Sequence, residues 1–85
     1  MRTFDYTVKD ELGIHARPAG LLVKAAKEFS SDITITKGDK QAGCTKLIAI
    51  MGLGVKCGDT VTITIDGADE DTAESAMKEF FETTL

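Results

Sequence analysis

The chain has 85 residues, 42% of them hydrophobic, and a formal charge of −4. That suffices for one modest core, and no stretch approaches the roughly 20 apolar residues that a membrane-spanning helix needs. The acidic balance supplies no overall basic field to draw in a nucleic-acid backbone, so the expectation is one domain over residues 1–85 without membrane insertion or nucleic acid among its partners.

Phe4, Tyr6 and Val8 alternate with Thr3, Asp5 and Thr7, the pattern of a strand with one apolar face. The alternation begins almost at Met1, with no apolar leader before it, which predicts a cytoplasmic chain. Lys9, Asp10 and Glu11 break the strand, and Leu12-Gly13-Ile14 follows. From Ala16 the period changes: Ala19, Leu22, Val23, Ala26 and Phe29 mark the buried face of a helix that Ser30-Ser31-Asp32 is expected to end. Ile33 and Ile35 predict a second strand, Lys37-Gly38-Asp39 a turn, and Gln41 to Cys44 a third strand completing a hairpin. Lys46-Leu47-Ile48-Ala49-Ile50-Met51-Gly52 is apolar nearly all round and reads as a short helix ended by Gly52 and Gly54. Val61, Ile63 and Ile65 alternate with Thr60, Thr62 and Thr64 in a fourth strand. Asp69 is an expected N-cap, and Ala73, Ala76, Met77 and Phe80 give the stripe of a last helix. The order β-α-β-β-α-β-α is that of an α+β fold. Its four-stranded, largely antiparallel sheet carries three helices on one face and a threonine-rich face toward water.

The only histidine, His15, and the only proline, Pro18, flank Ala16 and Arg17 at the strand-to-helix turn. The first N–H groups of a helix lack intrahelical partners and carry partial positive charge, which suits an anion. An imidazole nucleophile there, beside an arginine able to fork onto phosphate oxygens, makes a small phosphoryl-accepting site. The same two features disfavour imidazolium, so a His15 pKa at or below the reference of about 6.5 is expected. Arg17, Gly20, Lys24 and Lys27 form a basic stripe offset from the buried face, on a chain that is acidic elsewhere. Leu47, Ile48 and Met51 cannot all be buried in so small a domain and form a candidate apolar docking patch. Cys44 and Cys57 have neither redox nor zinc spacing; reduced thiols and no metal are expected.

Gly13-Ile14-His15-Ala16-Arg17-Pro18-Ala19, Met51-Gly52-Leu53-Gly54-Val55 and the run from Val61 through Glu70 together resemble the HPr family. These are the histidine phosphocarriers of the bacterial phosphoenolpyruvate-dependent sugar phosphotransferase system. The resemblance covers essentially the whole chain. It implies an open-faced β-sandwich and phosphorylation of His15 on Nδ1 by enzyme I. Arg17 and the backbone N–H groups of Ala16 and Arg17 then hold the phosphate. Onward transfer is to enzyme IIA domains, with Gly20, Lys24, Lys27, Leu47, Ile48 and Met51 as docking residues. It implies a monomeric relay protein rather than an enzyme. No cofactor of its own is expected; phosphoenolpyruvate and magnesium are used by enzyme I. Transcriptional regulators are further partners in the family, and a regulatory or nitrogen-related carrier is the alternative reading.

Two positions depart from the family pattern. Many members carry a regulatory serine at the start of the short helix, where this chain has Lys46, which a serine kinase cannot modify. Thr45, one residue earlier, is a candidate substitute but is not expected to take that role. Leu12 replaces a small polar residue common before the histidine.

Overall fold

The computed structural model describes every residue from Met1 to Leu85 except Leu12 and His15. Its elements are β1 (Arg2–Thr7), α1 (Ala16–Ala26), β2 (Asp32–Lys37), β3 (Lys40–Gly43), α2 (Leu47–Gly52), β4 (Thr60–Asp66) and α3 (Glu70–Thr84). The strands form one four-stranded sheet in the order β1-β4-β2-β3, with every neighbouring pair antiparallel. The expected α+β architecture is therefore the observed one.

The register explains the two faces. Phe4 pairs with Ile63, Ile63 with Ile35 and Ile35 with Ala42, so one apolar row crosses all four strands beneath the helices. One residue along, Asp5, Thr62, Thr36 and Gln41 form the matching row on the opposite face. There the Thr62 hydroxyl donates to Asp5 Oδ1 at 2.8 Å, and the Thr7 and Thr60 hydroxyls lie 2.9 Å apart. Because strand side chains alternate with period two, a one-residue slip would exchange the rows and expose the core. β4 lies between β1 and β2, and its Val61, Ile63 and Ile65 are fully buried.

The helices cover the apolar face, with three differences from expectation. The α-helical part of α1 ends at Ala26, not at Ser30. Beyond it the Glu28 and Phe29 amides bond to the carbonyls of Ala25 and Ala26, three residues back, so the last turn tightens. Val23 and Phe29 are only half-buried, and Lys27 lies just past the helix. Asp69 stands at the N-cap of α3 but makes no side-chain cap. Its carboxylate instead accepts the Ser30 and Ser31 amides at 2.9 Å each and the Ser31 hydroxyl, joining the end of α1 to the start of α3. In α3 the buried residues are Ala73, Met77 and Phe81, with Ala76 and Phe80 half-buried. Phe81 takes the central place because the rings of Phe4, Tyr6 and Phe80 meet it edge-on, at centroid distances of 6.0, 5.5 and 5.8 Å.

Candidate phosphoryl-acceptor site

His15 itself lies outside the described residues, as do its expected pKa and the Leu12 departure. The structure describes the residues on both sides of it. On the N-terminal side Gly13 has φ +68°, and a Cβ placed there would lie 2.2 Å from the Val55 carbonyl oxygen. Only glycine lets the backbone press that close. The next amide, Ile14 N–H, donates to the same carbonyl at 3.1 Å, and the Ile14 side chain is buried in the core. On the C-terminal side Pro18 and Ala19, near the start of α1, are buried. Ala16 and Arg17, between these anchors, are exposed.

α1 starts at Ala16 and has no acidic residue in its first turn, so no first-turn carboxylate offsets the positive end of its dipole. Pro18 fits that turn, where a missing N–H removes no intrahelical bond. Among the described residues none forms a hydrogen bond or ion pair with Arg17, whose guanidinium is exposed. The backbone on either side of His15 is anchored by the buried Ile14 and Pro18.

The expected docking residues lie beside this segment. Arg17, Lys24 and Lys27 are exposed and Gly20 is half-buried. α2 packs against α1 and buries only Ile50 among its own residues, leaving Leu47, Ile48 and Met51 exposed. Ile48 is 79% exposed, an unusual position for an aliphatic side chain with no partner. Sequence reasoning omitted Leu21, which is 42% exposed. Its spacing from Arg17 and Lys24, four and three residues, already placed it on the basic stripe rather than the buried one.

The family model for PTS-HPr, described as the PTS HPr component phosphorylation site, matches residues 2–83. The chain belongs to the HPr family, the phosphocarriers of the phosphotransferase system. It is 40% identical over 79 residues to the phosphocarrier protein HPr of Mycoplasma capricolum, covering 93% of this chain and 89% of that one. Identity to the HPr of Lysinibacillus sphaericus is 43% over 77 residues, covering 91% and 88%. Among solved structures, HPr-C-His of Thermoanaerobacter tengcongensis superposes with a TM-score of 0.92 at 36% identity, covering 98% of this chain and 93% of the other. Crh of Bacillus subtilis, a catabolite-repression protein of the same fold, gives 0.78 at 29% identity over the full length of this chain and 98% of its own.

Within that family fold, Lys46 occupies the N-cap of α2 in extended backbone (φ −113°, ψ 93°) and makes no side-chain cap. A cation there sits at the unfavourable, positive end of the helix. Thr45 beside it is exposed. Both cysteines are free thiols. Cys44 is buried, and desolvation pushes its pKa up to about 12. Cys57 is exposed, its Sγ 3.7 Å from the Lys9 carbonyl oxygen. Among the described residues no group of three or more His, Cys, Asp or Glu side chains is arranged to hold a metal ion.

Proposed function

We propose that this chain accepts a phosphoryl group from phospho-enzyme I on Nδ1 of His15 and passes it to enzyme IIA domains that serve sugar uptake. In the first step the neutral imidazole supplies the electron pair for a new N–P bond as the bond from phosphorus to the enzyme I donor breaks. The product carries close to two negative charges. The Ala16 and Arg17 amides and the Arg17 guanidinium stabilise those charges, and an open site with one arginine leaves the group transferable. Such phosphoryl transfer depends chiefly on positioning and charge stabilisation. The protein is regenerated by its partners, so it is a carrier rather than an enzyme. It works as a cytoplasmic monomer without a cofactor; phosphoenolpyruvate and magnesium act on enzyme I.

The observation that carries this reading is the held but open segment around His15: Ile14 and Pro18 buried, Ala16 and Arg17 exposed at a helix start. The basic stripe and the exposed Leu47, Ile48 and Met51 suit an acidic partner surface with an apolar centre. The likeness to Crh favours a second reading, a regulatory module acting by protein binding. His15 itself favours the relay.

Incubation with phosphoenolpyruvate, magnesium and enzyme I tests the proposal. Intact mass should rise by one acid-labile phosphoryl group, and His15→Ala should show none. Ile48→Asp should raise the KM of enzyme I for the protein with little change in stability. A wild-type chain left unmodified by a competent enzyme I from the same organism would favour the regulatory reading. Transfer only to nitrogen-related acceptors would exclude sugar uptake.

A further inference from the structure

The backbone that leads to His15 is held only in part by its neighbours in sequence, through the Gly13 amide on the Asp10 carbonyl at 2.9 Å. Ile14 hangs from the Val55 carbonyl, and Gly13 is pressed against it. Val55 belongs to the connection between α2 and β4, seven residues apolar only in part. Its Leu53 and Val55 side chains are buried in the core, and a side chain from another element adds a polar restraint. Lys37, at the end of β2, donates through Nζ to the Gly54 carbonyl at 2.9 Å and pairs with Asp59 Oδ2 at 3.0 Å. Asp59 also accepts the Lys56 amide at 2.9 Å. One ammonium thus grips both ends of the Gly54–Asp59 loop, with Val55 between the two grips. The Lys37 and Asp59 side chains are 32% and 34% exposed, so the pair is partly shielded from solvent rather than fully hydrated. Two backbone bonds, from the Gly58 amide to the Val8 carbonyl at 2.8 Å and from the Val8 amide to the Asp59 carbonyl at 2.9 Å, fix the far end of the loop beside β1.

We infer that Lys37 is a positioning residue for phosphoryl transfer, acting through the Gly54–Asp59 loop on the Val55 carbonyl and hence on the backbone that leads into His15. This inference rests on His15 being the acceptor. Lys37 itself is no part of the acceptor segment. Its three donor hydrogens and long stem let it bridge a carbonyl and a carboxylate at once. Without the bridge the loop keeps its two Val8 bonds and the buried Val55 side chain but loses the grip on the Gly54 carbonyl, next to Val55. The acceptor backbone then samples a wider range, and in-line transfer is sensitive to small displacements.

The test compares Lys37→Met, which keeps the stem and removes the donors, with Lys37→Arg, which restores donors and charge. Steady-state transfer from enzyme I at varied concentrations of the carrier separates kcat from KM. Lys37→Met should lower kcat on the order of 3- to 10-fold with KM nearly unchanged, and Lys37→Arg should recover most of it. The Ile14 amide in Lys37→Met should shift in the NMR spectrum and exchange faster, while sheet amides of β2 and β4 stay protected. A rise in KM alone would mean that Lys37 touches the partner directly, and the inference would fail. It would fail equally if kcat and the Ile14 amide were both unchanged. Phosphorylation of His15→Ala would overturn the acceptor assignment instead, and the Ile14 amide would still judge the link from Lys37 by itself.

Discussion

Replacing Gly13 by alanine should cost far more than the same change at Gly54 in the neighbouring loop. Two contributions can be separated. The left-handed backbone at φ +68° costs an L-residue about 1–2 kcal/mol. The new Cβ would sit 2.2 Å from Val55 O, 2.7 Å from Lys56 Cα and 3.0 Å from Val55 C, all backbone atoms that cannot rotate aside. Relief requires the loop to move. That gives up the Ile14–Val55 hydrogen bond, about 1 kcal/mol, and disturbs packing by about 1–3 kcal/mol. The sum is about 3–6 kcal/mol, against roughly 4–13 kcal/mol of total stability for a domain of this length. Gly54→Ala is the control. Gly54 has φ +64° and nothing within 4 Å of a built Cβ, so it reports the backbone contribution alone, about 1–2 kcal/mol. Urea unfolding of both variants, analysed with a common slope, gives the difference directly. If the two lose the same stability within about 0.5 kcal/mol, the close approach of Gly13 to Val55 is not a constraint and the account of the acceptor backbone is wrong.

Three further outcomes follow from the packing and electrostatics. Phe81→Ala, which empties the centre of the aromatic cluster, should destabilise by about 3–5 kcal/mol, whereas Phe80→Ala should cost markedly less; denaturant midpoints check both. The Ser31 hydroxyl first, and then the Ser30 amide, hold the Asp69 carboxyl below the usual carboxylate range, so the folded chain binds this proton less tightly than the unfolded one. The stabilisation is therefore complete above the ordinary carboxylate pKa of about 3.9 and is lost as pH falls through the depressed value. Asp59, lowered chiefly by the Lys56 amide and then by Lys37, acts in the same direction. The urea midpoint should fall as pH drops below about 4, and Asp69→Asn should flatten that fall. A maleimide should label Cys57 in the folded protein and reach Cys44 only after unfolding, which mass spectrometry of the labelled chain resolves.

Much of this molecule is written in residue order. The alternation of Val61, Ile63 and Ile65 with threonines specifies a strand and its two faces without reference to any neighbour, because the side-chain period of a strand is fixed by backbone geometry. The same holds for Ala19, Leu22 and Ala26 on α1, and for the conclusion that α2 must leave apolar side chains outside. The Gly13–Ala19 motif with the whole-chain resemblance named the acceptor segment. The chemistry proposed for it depends on residues adjacent in sequence, a histidine, an arginine and a helix start. Other decisions needed distant parts of the chain to meet. Spacing favoured Phe80 in α3, but Phe81 is the buried ring, because β1 supplies Phe4 and Tyr6 at that point. Asp69 reads as an N-cap by type and place, yet the nearby amides of Ser30 and Ser31 take its oxygens. The grip of Lys37 on Gly54 and Asp59 spans separations of 17 residues to Gly54 and more to Asp59, and no local periodicity encodes it. Periodicity reports which face of an element is apolar; which polar group a side chain finds is settled by what the folded sheet brings within about 3 Å of it.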